Sequence, residues 1–323
     1  MISTVPFHRR VPGRLTERPS DASSGRVMAA AVTGTVTVVL PVNVLGAVAT
    51  MVRDDIGFGK GALGVLFAMY HGSGMLASIP GGDLSERLGP RRSMVLAAAM
   101  SSAAALAIGV LAREWWHLAV AVVLAGVANG VGQPSASLAL SRGVRLARQG
   151  IAFGLKQASI PAAGILAGLA VPAFGLTVGW RWAFVVIALM FVAVVVITPN
   201  VRFVRAPRVP RDALPADTRD RPPMSLIVPF ALGSAASMTI PAFLAETVVD
   251  AGHSAALAGV VLAAGSAVGL ISRLIVGTIA DRRGRGHLQL VSMLMAGGAV
   301  GCVVLGFASE HTTALLIGVF VTY

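Results

Sequence analysis

Residues 82–92 read GDLSERLGPRR, and residues 277–285 read GTIADRRGR. Each stretch follows a long apolar block, and each places an acid and an arginine between two glycines. A shift of 195 positions superposes the two stretches within a longer repeat, in which residues 55–89 match residues 250–284 at 9 of 35 positions. A repeat at this separation predicts that the chain has two similar halves.

The apolar residues gather into blocks of about 20 residues, which is the length that an α-helix needs to cross the hydrocarbon of a bilayer. With 55% hydrophobic and 12% charged residues and a mean hydropathy of +0.79, the composition is not that of a soluble protein. Helices are predicted because the blocks lack the alternation of a barrel and because lipid leaves backbone groups no outside partner. Nine spans are predicted, at residues 27–52, 62–80, 93–112, 118–140, 151–171, 182–198, 226–249, 255–277 and 288–308, and a tenth begins near Thr312 and is incomplete at Tyr323.

The basic residues are distributed unevenly between the two sides of these spans. Of the 26 lysines and arginines, 20 lie in the N-terminal tail and in alternate loops, which predicts that this side is the cytoplasmic side of a bacterial inner membrane. The net charge of +12 therefore reflects membrane topology, and the bilayer rather than nucleic acid is the expected partner. The opposite side carries Arg53, Lys60, Arg113 and Arg181, and two basic residues, Lys156 and Arg273, fall inside spans.

The low-complexity segments divide the chain. Residues 1–26 are predicted to be a cytoplasmic tail and residues 199–223 a cytoplasmic linker, because both mix arginine and proline without helical periodicity. Residues 27–198 then form a six-helix bundle and residues 224–323 a partial second bundle. Two like-oriented halves predict a binding site between them that opens to one side at a time.

The two stretches quoted first resemble the signature of the major facilitator superfamily, G-x-L-a-D-R-x-G-R-R, and the sequence GWRWAF at residues 179–184 is also common in that family. The resemblance implies an all-α membrane protein with six plus at least three helices, truncated at its C-terminus. It also implies secondary transport by alternating access, with a small-molecule substrate, no cofactor, no metal and no covalent chemistry. A monomer is the expected unit.

In this family the acid and arginine of the signature help to hold the two bundles together at the cytoplasmic rim. The first glycine is expected to permit a close helix contact and the second a left-handed turn. The first copy departs from the pattern at Glu86, where aspartate is usual, and at Pro90, where arginine is usual; the alternative is a pair of basic turns that only fix topology. The implied gating residues are Gly82, Glu86, Arg87, Gly89, Arg91, Arg273, Gly277, Asp281, Arg282 and Gly284.

Polar residues within spans are the candidates for substrate contact. Asn129 and Gln133 share one helix face by their spacing, and Asn43 lies in another helix that lines the cavity in the family; interhelical hydrogen bonding is the alternative for all three. Lys156 and Gln157 lie in the fifth span, where the lysine either contacts an anion or extends to the membrane surface.

A coupling proton is left open by the sequence. His71 lies midway along the second span and is a candidate relay, or a histidine satisfied by a neighbour. Glu246 is the other candidate, with an exposed carboxylate at the membrane rim as the alternative.

Other function classes are distinguished by what they require. A membrane enzyme would need a convergent catalytic set, yet the six histidines are scattered and no HExxH, GxSxG or P-loop pattern occurs. The single cysteine, Cys302, excludes an intramolecular disulfide and a cysteine metal cluster. A non-transporting receptor or scaffold, and an inactive fragment of a permease, remain alternatives. The motifs assign no substrate, direction or coupling ion.

Overall fold

The computed structural model describes residues 21–145, 148–198, 243–283, 293, 296–301 and 303, without the side chains of residues 21–23 and 276–283. The described residues are helical and contain no strand, which confirms the all-α fold class. The predicted linker lies outside them, as do the tenth block and most of the predicted seventh and ninth spans.

The helices of the described residues follow one another with short turns. Two π-helical turns, Ala107–Leu111 and Val171–Gly175, extend the fourth and sixth helices. The helices are α1 (Asp21–Ala47), α2 (Ala49–Ile56), α3 (Lys60–Leu88), α4 (Pro90–Leu106), α5 (Trp115–Gly143), α6 (Gln149–Ala170), α7 (Trp180–Ala188), α8 (Met190–Ile197), α9 (243–250) and α10 (Ala255–Arg283).

Seven segments of the described residues are long and apolar enough to cross a membrane. Six belong to the first half, as predicted, and the seventh corresponds to the predicted eighth span. They are Ser24–Ala47, Lys60–Leu88, Pro90–Leu111, Trp115–Gly143, Gln149–Gly175, Trp180–Ile197 and Ala255–Ile275.

The first helix differs from its predicted bounds. It begins at Asp21, six residues before the predicted span, so residues 21–26 are helical and do not belong to a non-helical tail. Hydropathy marks where hydrocarbon begins, whereas a helix continues into water as long as its backbone bonds are favourable. Near the other end, Val48 interrupts the helical geometry, but the bonds from Val48 N to Val44 O and from Val52 N to Val48 O carry α1 into α2.

Because successive spans alternate in direction, the turns gather at two ends of the bundle. The end that carries the turns at residues 57–59, 112–114, 176–179 and 251–254 is called the Lys60 end. The end that carries the turn between α3 and α4 and the turn between α5 and α6 is called the Gly89 end. Gly89 has a φ of 82° and a ψ of 155°, a backbone conformation that favours glycine, so the turn after α3 requires this residue type but is not of the αL kind.

The helices of the first half pack through small residues. A Cβ on Gly130 of α5 would lie 2.5 Å from the carbonyl oxygen of Gly74 on α3, so only glycine allows this contact. One turn earlier on α3, the buried Tyr70 hydroxyl donates to the carbonyl oxygen of Val38 at 3.1 Å and ties α3 to α1. The site is therefore built on closely packed and mutually bonded helices.

The described part of the second half follows the sequence repeat. The helices α3 and α10 each have 29 residues, and both bounds of α10 lie 195 positions after those of α3. The turns before them contain Gly57 and Gly252, both with positive φ and also 195 positions apart. The repeat therefore corresponds to equivalent structure over this stretch.

Candidate functional site

A stripe of polar side chains runs along α5. Gln133 Nε2 donates to Asn129 Oδ1 at 3.3 Å, and Ser137 Oγ donates to the backbone carbonyl of Gln133 at 3.0 Å. The three residues are four positions apart and share one face of the helix. The stripe ends at α6, where Lys156 Nζ donates to Ser137 Oγ at 3.0 Å. Three predicted substrate residues, Asn129, Gln133 and Lys156, are thus brought together.

Lys156 is buried, with 6% of its surface exposed. Its ammonium turns inward to α5, so the alternative of a side chain that extends to the membrane surface is wrong. The described residues that form ion pairs do not include a partner for Lys156. This buried cation therefore has a neutral hydroxyl as its hydrogen-bond partner.

A pocket of about 470 Å³ opens beside Ser137 at the Gly89 end, between α3, α5 and the start of α6. Ser137, which accepts the hydrogen bond from Lys156, is thus part of the pocket wall. Its lining is formed by Ile79, Gly82, Asp83, Ser85, Glu86, Pro134, Ser137, Leu138, Ser141 and Phe153.

Asn43 lies apart from this stripe, where α1, α6 and α10 meet. Its Nδ2 donates to the carbonyl oxygen of Val39 on its own helix at 2.8 Å. A Cβ at Gly164 would lie 2.3 Å from Ser266 Oγ and 4.0 Å from Asn43 Oδ1, so both polar atoms face this glycine. Ser266 Oγ is buried and has no hydrogen-bond partner within the described part of the chain. Helices of both halves therefore contribute to a second, smaller polar cluster.

His71 and Gln157 do not join either cluster. The His71 ring packs edge-on against the ring of Tyr70, with 5.0 Å between centroids, and the residue is exposed on α3. The Gln157 side chain is exposed as well.

The backbone of Gln157 nevertheless forms a contact between the halves. Pro161 has no N–H, so the carbonyl of Gln157, four residues earlier, lacks its helical donor. Arg273 Nη1 of α10 donates to this oxygen at 3.2 Å. A bond of the same kind occurs within the first half, where Pro41 frees the carbonyl of Thr37 and Ser101 Oγ donates to it at 2.8 Å. Arg273 thus bonds α10 to α6, and its role at the gate stays a prediction.

At the Lys60 end, two ion pairs join the halves. Arg53 of α2 pairs with Glu246 of α9, and Lys60 of α3 pairs with Asp250 of α9. Glu246 is 3% exposed, so the alternative of an exposed rim carboxylate is wrong. A third pair, Asp55 with Arg181, lies within the first half.

The halves also approach closely through glycine. A Cβ on Gly168 of α6 would lie 2.4 Å from the carbonyl oxygen of Gly259 on α10, and one on Gly259 would lie 2.6 Å from that of Gly168. This contact lies nearer the Lys60 end than the contact of Arg273.

The first signature copy lies at the Gly89 end. Glu86, Arg87 and Arg91 are exposed there, and among the described residues Glu86 and Arg87 form no ion pair. The expectation that Gly82 permits a close helix contact is not met by any described residue, since a Cβ there would meet nothing within 4 Å. Its neighbour Gly81 has that role, because a Cβ there would lie 2.6 Å from the carbonyl oxygen of Gly130. Among the described residues the close contact is thus made by Gly81, and the role of Gly82 stays a prediction.

The second signature copy is described in part. Residues Gly277, Asp281 and Arg282 lie in the last turns of α10, and their side chains are outside the described residues, as is all of Gly284. The prediction of a matching contact at this copy stays a prediction.

Sequence reasoning missed three contributors to these contacts. Ser137 could have been found, since it continues the four-residue spacing of Asn129 and Gln133. Arg53 was counted only as a loop charge, and no sequence signal connects it with Glu246, nearly 200 positions away. Ser266 carries no signal that separates it from the other small residues of α10.

The model of the Major Facilitator Superfamily matches residues 25–323. The chain belongs to the major facilitator superfamily. No curated protein matches its sequence. Among solved structures, the superfamily fold is shared with a bacterial homolog of the human lysosomal transporter Spinster in its inward-facing, unoccupied form. The TM-score is 0.70 and the sequence identity 16%, and the match covers 94% of this chain and 74% of that one. The occupied form of that homolog matches at a TM-score of 0.69 and 17% identity, over 94% of this chain and 73% of that one.

A third structure, a D-xylose-proton symporter, matches at a TM-score of 0.65 and 14% identity, over 94% of this chain and 80% of that one. At these identities the likeness shows the superfamily fold and not the substrate. The chain is thus a multi-pass membrane protein of the major facilitator superfamily.

Proposed function

We propose that this superfamily member is a secondary transporter that moves a small solute across the bacterial inner membrane by alternating access. The proposal is carried by the difference between the two ends of the bundle. Ion pairs join the halves at the Lys60 end, whereas a pocket opens at the Gly89 end. A carrier that exposes its site to one side at a time needs one end closed while the other is open.

The distribution of charge supports an orientation. We assign the Gly89 end and the N-terminus to the cytoplasm, because 20 of the 26 basic residues lie on that side. Gly61→Cys and Arg92→Cys, each in a Cys302→Ala background, test this assignment, because both positions are exposed. A membrane-impermeant maleimide should label Gly61→Cys in intact cells and Arg92→Cys only after lysis. The reverse pattern would overturn the orientation.

We assign solute contact to the stripe on α5 and to Lys156, with Asn43 as a separate polar contact near Ser266. These groups lie within spans and include the buried cation, which a purely packing role does not require. The signature residues Glu86 and Arg87, with Asp281 and Arg282, are assigned to the gate at the Gly89 end. His71 is the proposed site of a coupling proton, which His71→Gln tests by the loss of pH-gradient dependence.

The proposed activity involves no covalent step. No cluster of three or more histidine, cysteine, aspartate or glutamate side chains suited to a metal occurs within the described residues. Binding and release at a polar site that changes its access require only conformational exchange. A receptor or scaffold of the same fold would bind a ligand without moving it.

Flux measurements distinguish these functions. The protein, reconstituted in proteoliposomes, should take up at least one solute from a panel of sugars, organic acids and antimicrobials, with saturation. Lys156→Met should lose that uptake, whereas Arg113→Met, which removes an exposed loop charge, should retain it. Saturable ligand binding without uptake would support a receptor and contradict the transport proposal.

A further inference from the structure

The ammonium of Lys156 has a hydrogen-bond partner but no acidic partner among the described ion pairs. It lies seven residues into α6, about 10 Å along the helix at 1.5 Å per residue. It donates to Ser137, and the carboxylates of the described residues that form ion pairs lie elsewhere. A cation held away from water is disfavoured unless an anion pairs with it. Within the described part of the chain, the site therefore lacks an anion.

We infer that Lys156 binds the anionic group of the solute and that the solute is a small monocarboxylate with an apolar body. The inference rests on the transport function proposed above and names the substrate class of the same site. Carboxylate oxygens accept charge-assisted hydrogen bonds from ammonium and hydroxyl donors, both of which Lys156 and Ser137 supply.

The pocket connects this pair with the Gly89 end. Ser137 lines the pocket and accepts from Lys156, which lies behind it, so a carboxylate that binds the Ser137 hydroxyl comes next to the ammonium. Phe153 also lines it and precedes Lys156 by three positions, which places both on one side of α6. A carboxylate at Ser137 therefore leaves the rest of the solute against apolar side chains, namely Ile79, Pro134, Leu138 and Phe153.

The charges around the pocket favour a single negative charge on the solute. Asp83 and Glu86 line its exposed part, and they repel a second carboxylate on a solute whose first is bound at Lys156. The exposed Arg87, Arg91 and Arg92 lie at the same end and attract anions from solution. A dianion gains from these arginines but meets repulsion within the pocket.

Lipid phosphate is the competing source of an anion. Arginines at the membrane surface, such as Arg91 and Arg92, are placed for a phosphate because their side chains are exposed. Lys156 is buried between helices and bonded to α5, away from the surface that a headgroup occupies. The geometry thus favours a solute that enters through the pocket.

Equilibrium binding to the purified protein in a neutral detergent tests the inference. The probes are radiolabelled benzoate, acetate and octanoate, with benzamide as the neutral match of benzoate and succinate as a dianion. At least one monocarboxylate should bind, and Lys156→Met should weaken its binding about 10- to 100-fold, the range expected for a charge-assisted hydrogen bond. Arg113→Met should bind like the parent, and benzamide and succinate should compete poorly.

Three results would overturn the inference. They are unchanged binding by Lys156→Met, equal competition by benzamide, and the failure of every monocarboxylate in the panel to bind. A requirement of Lys156 for binding of phosphatidylglycerol, in nanodiscs with and without that lipid, would also overturn it in favour of a headgroup site.

Amine modification of the unaltered protein avoids any question of misfolding in the variant. The chain has two lysines, and Lys60 at the other end is an internal reference because it is about half exposed. The bound monocarboxylate should slow the reaction of Lys156 with an N-hydroxysuccinimide ester several-fold and leave that of Lys60 unchanged, as measured by mass spectrometry. Equal rates with and without the ligand would contradict the assignment.

Failure of this inference is distinguishable from failure of the transport proposal. Uptake of a neutral solute that is indifferent to Lys156→Met would refute the anion site and leave the transporter intact. Monocarboxylate binding that depends on Lys156 without uptake would support the site and refute transport.

Discussion

The Lys60 end and the Gly89 end of the bundle are built from the same helices, but the described contacts between the halves differ at the two ends. At the Lys60 end, two ion pairs and a glycine contact connect the halves. At the Gly89 end, the first half presents a pocket and an acid and arginine that form no ion pair among the described residues. Charged residues occur at both ends, so charge alone does not determine closure. Among the described side chains, the difference is that the ion-paired charges of the Lys60 end have partners on the other half.

The largest expected effect is on the buried ion pair. Arg53→Gln leaves the buried carboxylate of Glu246 without its cation, which costs about 3–5 kcal/mol where such a charge stays ionised. The variant should therefore open the Lys60 end or lower the unfolding temperature. Maleimide labelling of Val248→Cys, which is buried at this end in the parent, and thermal unfolding measure the two outcomes.

The matched control is the double variant Arg53→Gln with Glu246→Gln, which removes both charges. It should recover a large part of the loss, because no isolated charge remains. Equal behaviour of the single and double variants would show that the pair is not what closes this end.

The next effect concerns the glycine contact between α6 and α10. Gly168→Ala places a Cβ 2.4 Å from the carbonyl oxygen of Gly259, which should force the helices apart and cost about 1–3 kcal/mol. Gly154→Ala on the same helix is the control, since its Cβ would meet nothing within 4 Å. Thermal unfolding and labelling of the buried Val248→Cys should change for the first variant alone. Comparable changes in both variants would refute the close contact.

A smaller effect is expected from the bond that Arg273 makes to the carbonyl freed by Pro161. In Pro161→Ala the new N–H can bond to the Gln157 carbonyl, so Arg273→Gln should cost less in that background than in the parent. A double-mutant cycle of these two variants should give a coupling free energy of about 1 kcal/mol. The other contacts of Arg273 do not contribute to this coupling, because they are present in both backgrounds. Additive changes in unfolding free energy would contradict the bond.

The smallest effect is expected at Lys60 and Asp250. Both side chains are about half exposed, so Lys60→Gln should change the unfolding free energy by only about 0–1 kcal/mol and less in high salt. If Lys60→Gln lowered the unfolding free energy as much as Arg53→Gln, the difference in burial between the two ion pairs would be contradicted.

The sequence predicts more of the fold than of the candidate site. Hydropathy predicts the six spans of the first half, because the length of a span equals the length of an apolar block. The sequence repeat predicts that α3 and α10 are equivalent, because the glycines of their turns recur at the same separation. The start of α1 was missed, since a helix does not end where hydrocarbon ends.

The site depends on contacts between residues far apart in the chain. The face shared by Asn129 and Gln133 follows from spacing, but the bond from Lys156 to Ser137 depends on how α6 is rotated against α5. The same holds for the choice of Gly81 over Gly82 and for the pairing of Arg53 with Glu246. Periodicity defines faces, and only packing decides which faces meet.

The most direct test of the difference between the ends is a cross-link that holds the Lys60 end closed. Arg53→Cys with Glu246→Cys, in a Cys302→Ala background, is joined by a short bis-maleimide that a reducing agent cleaves, and solute uptake is measured in proteoliposomes. The control joins Asp55→Cys with Arg181→Cys, a pair at the same end but within the first half. Cross-linking should abolish uptake in the first variant, cleavage should restore it, and the control should transport throughout; full uptake by the cross-linked first variant would contradict alternating access at this end.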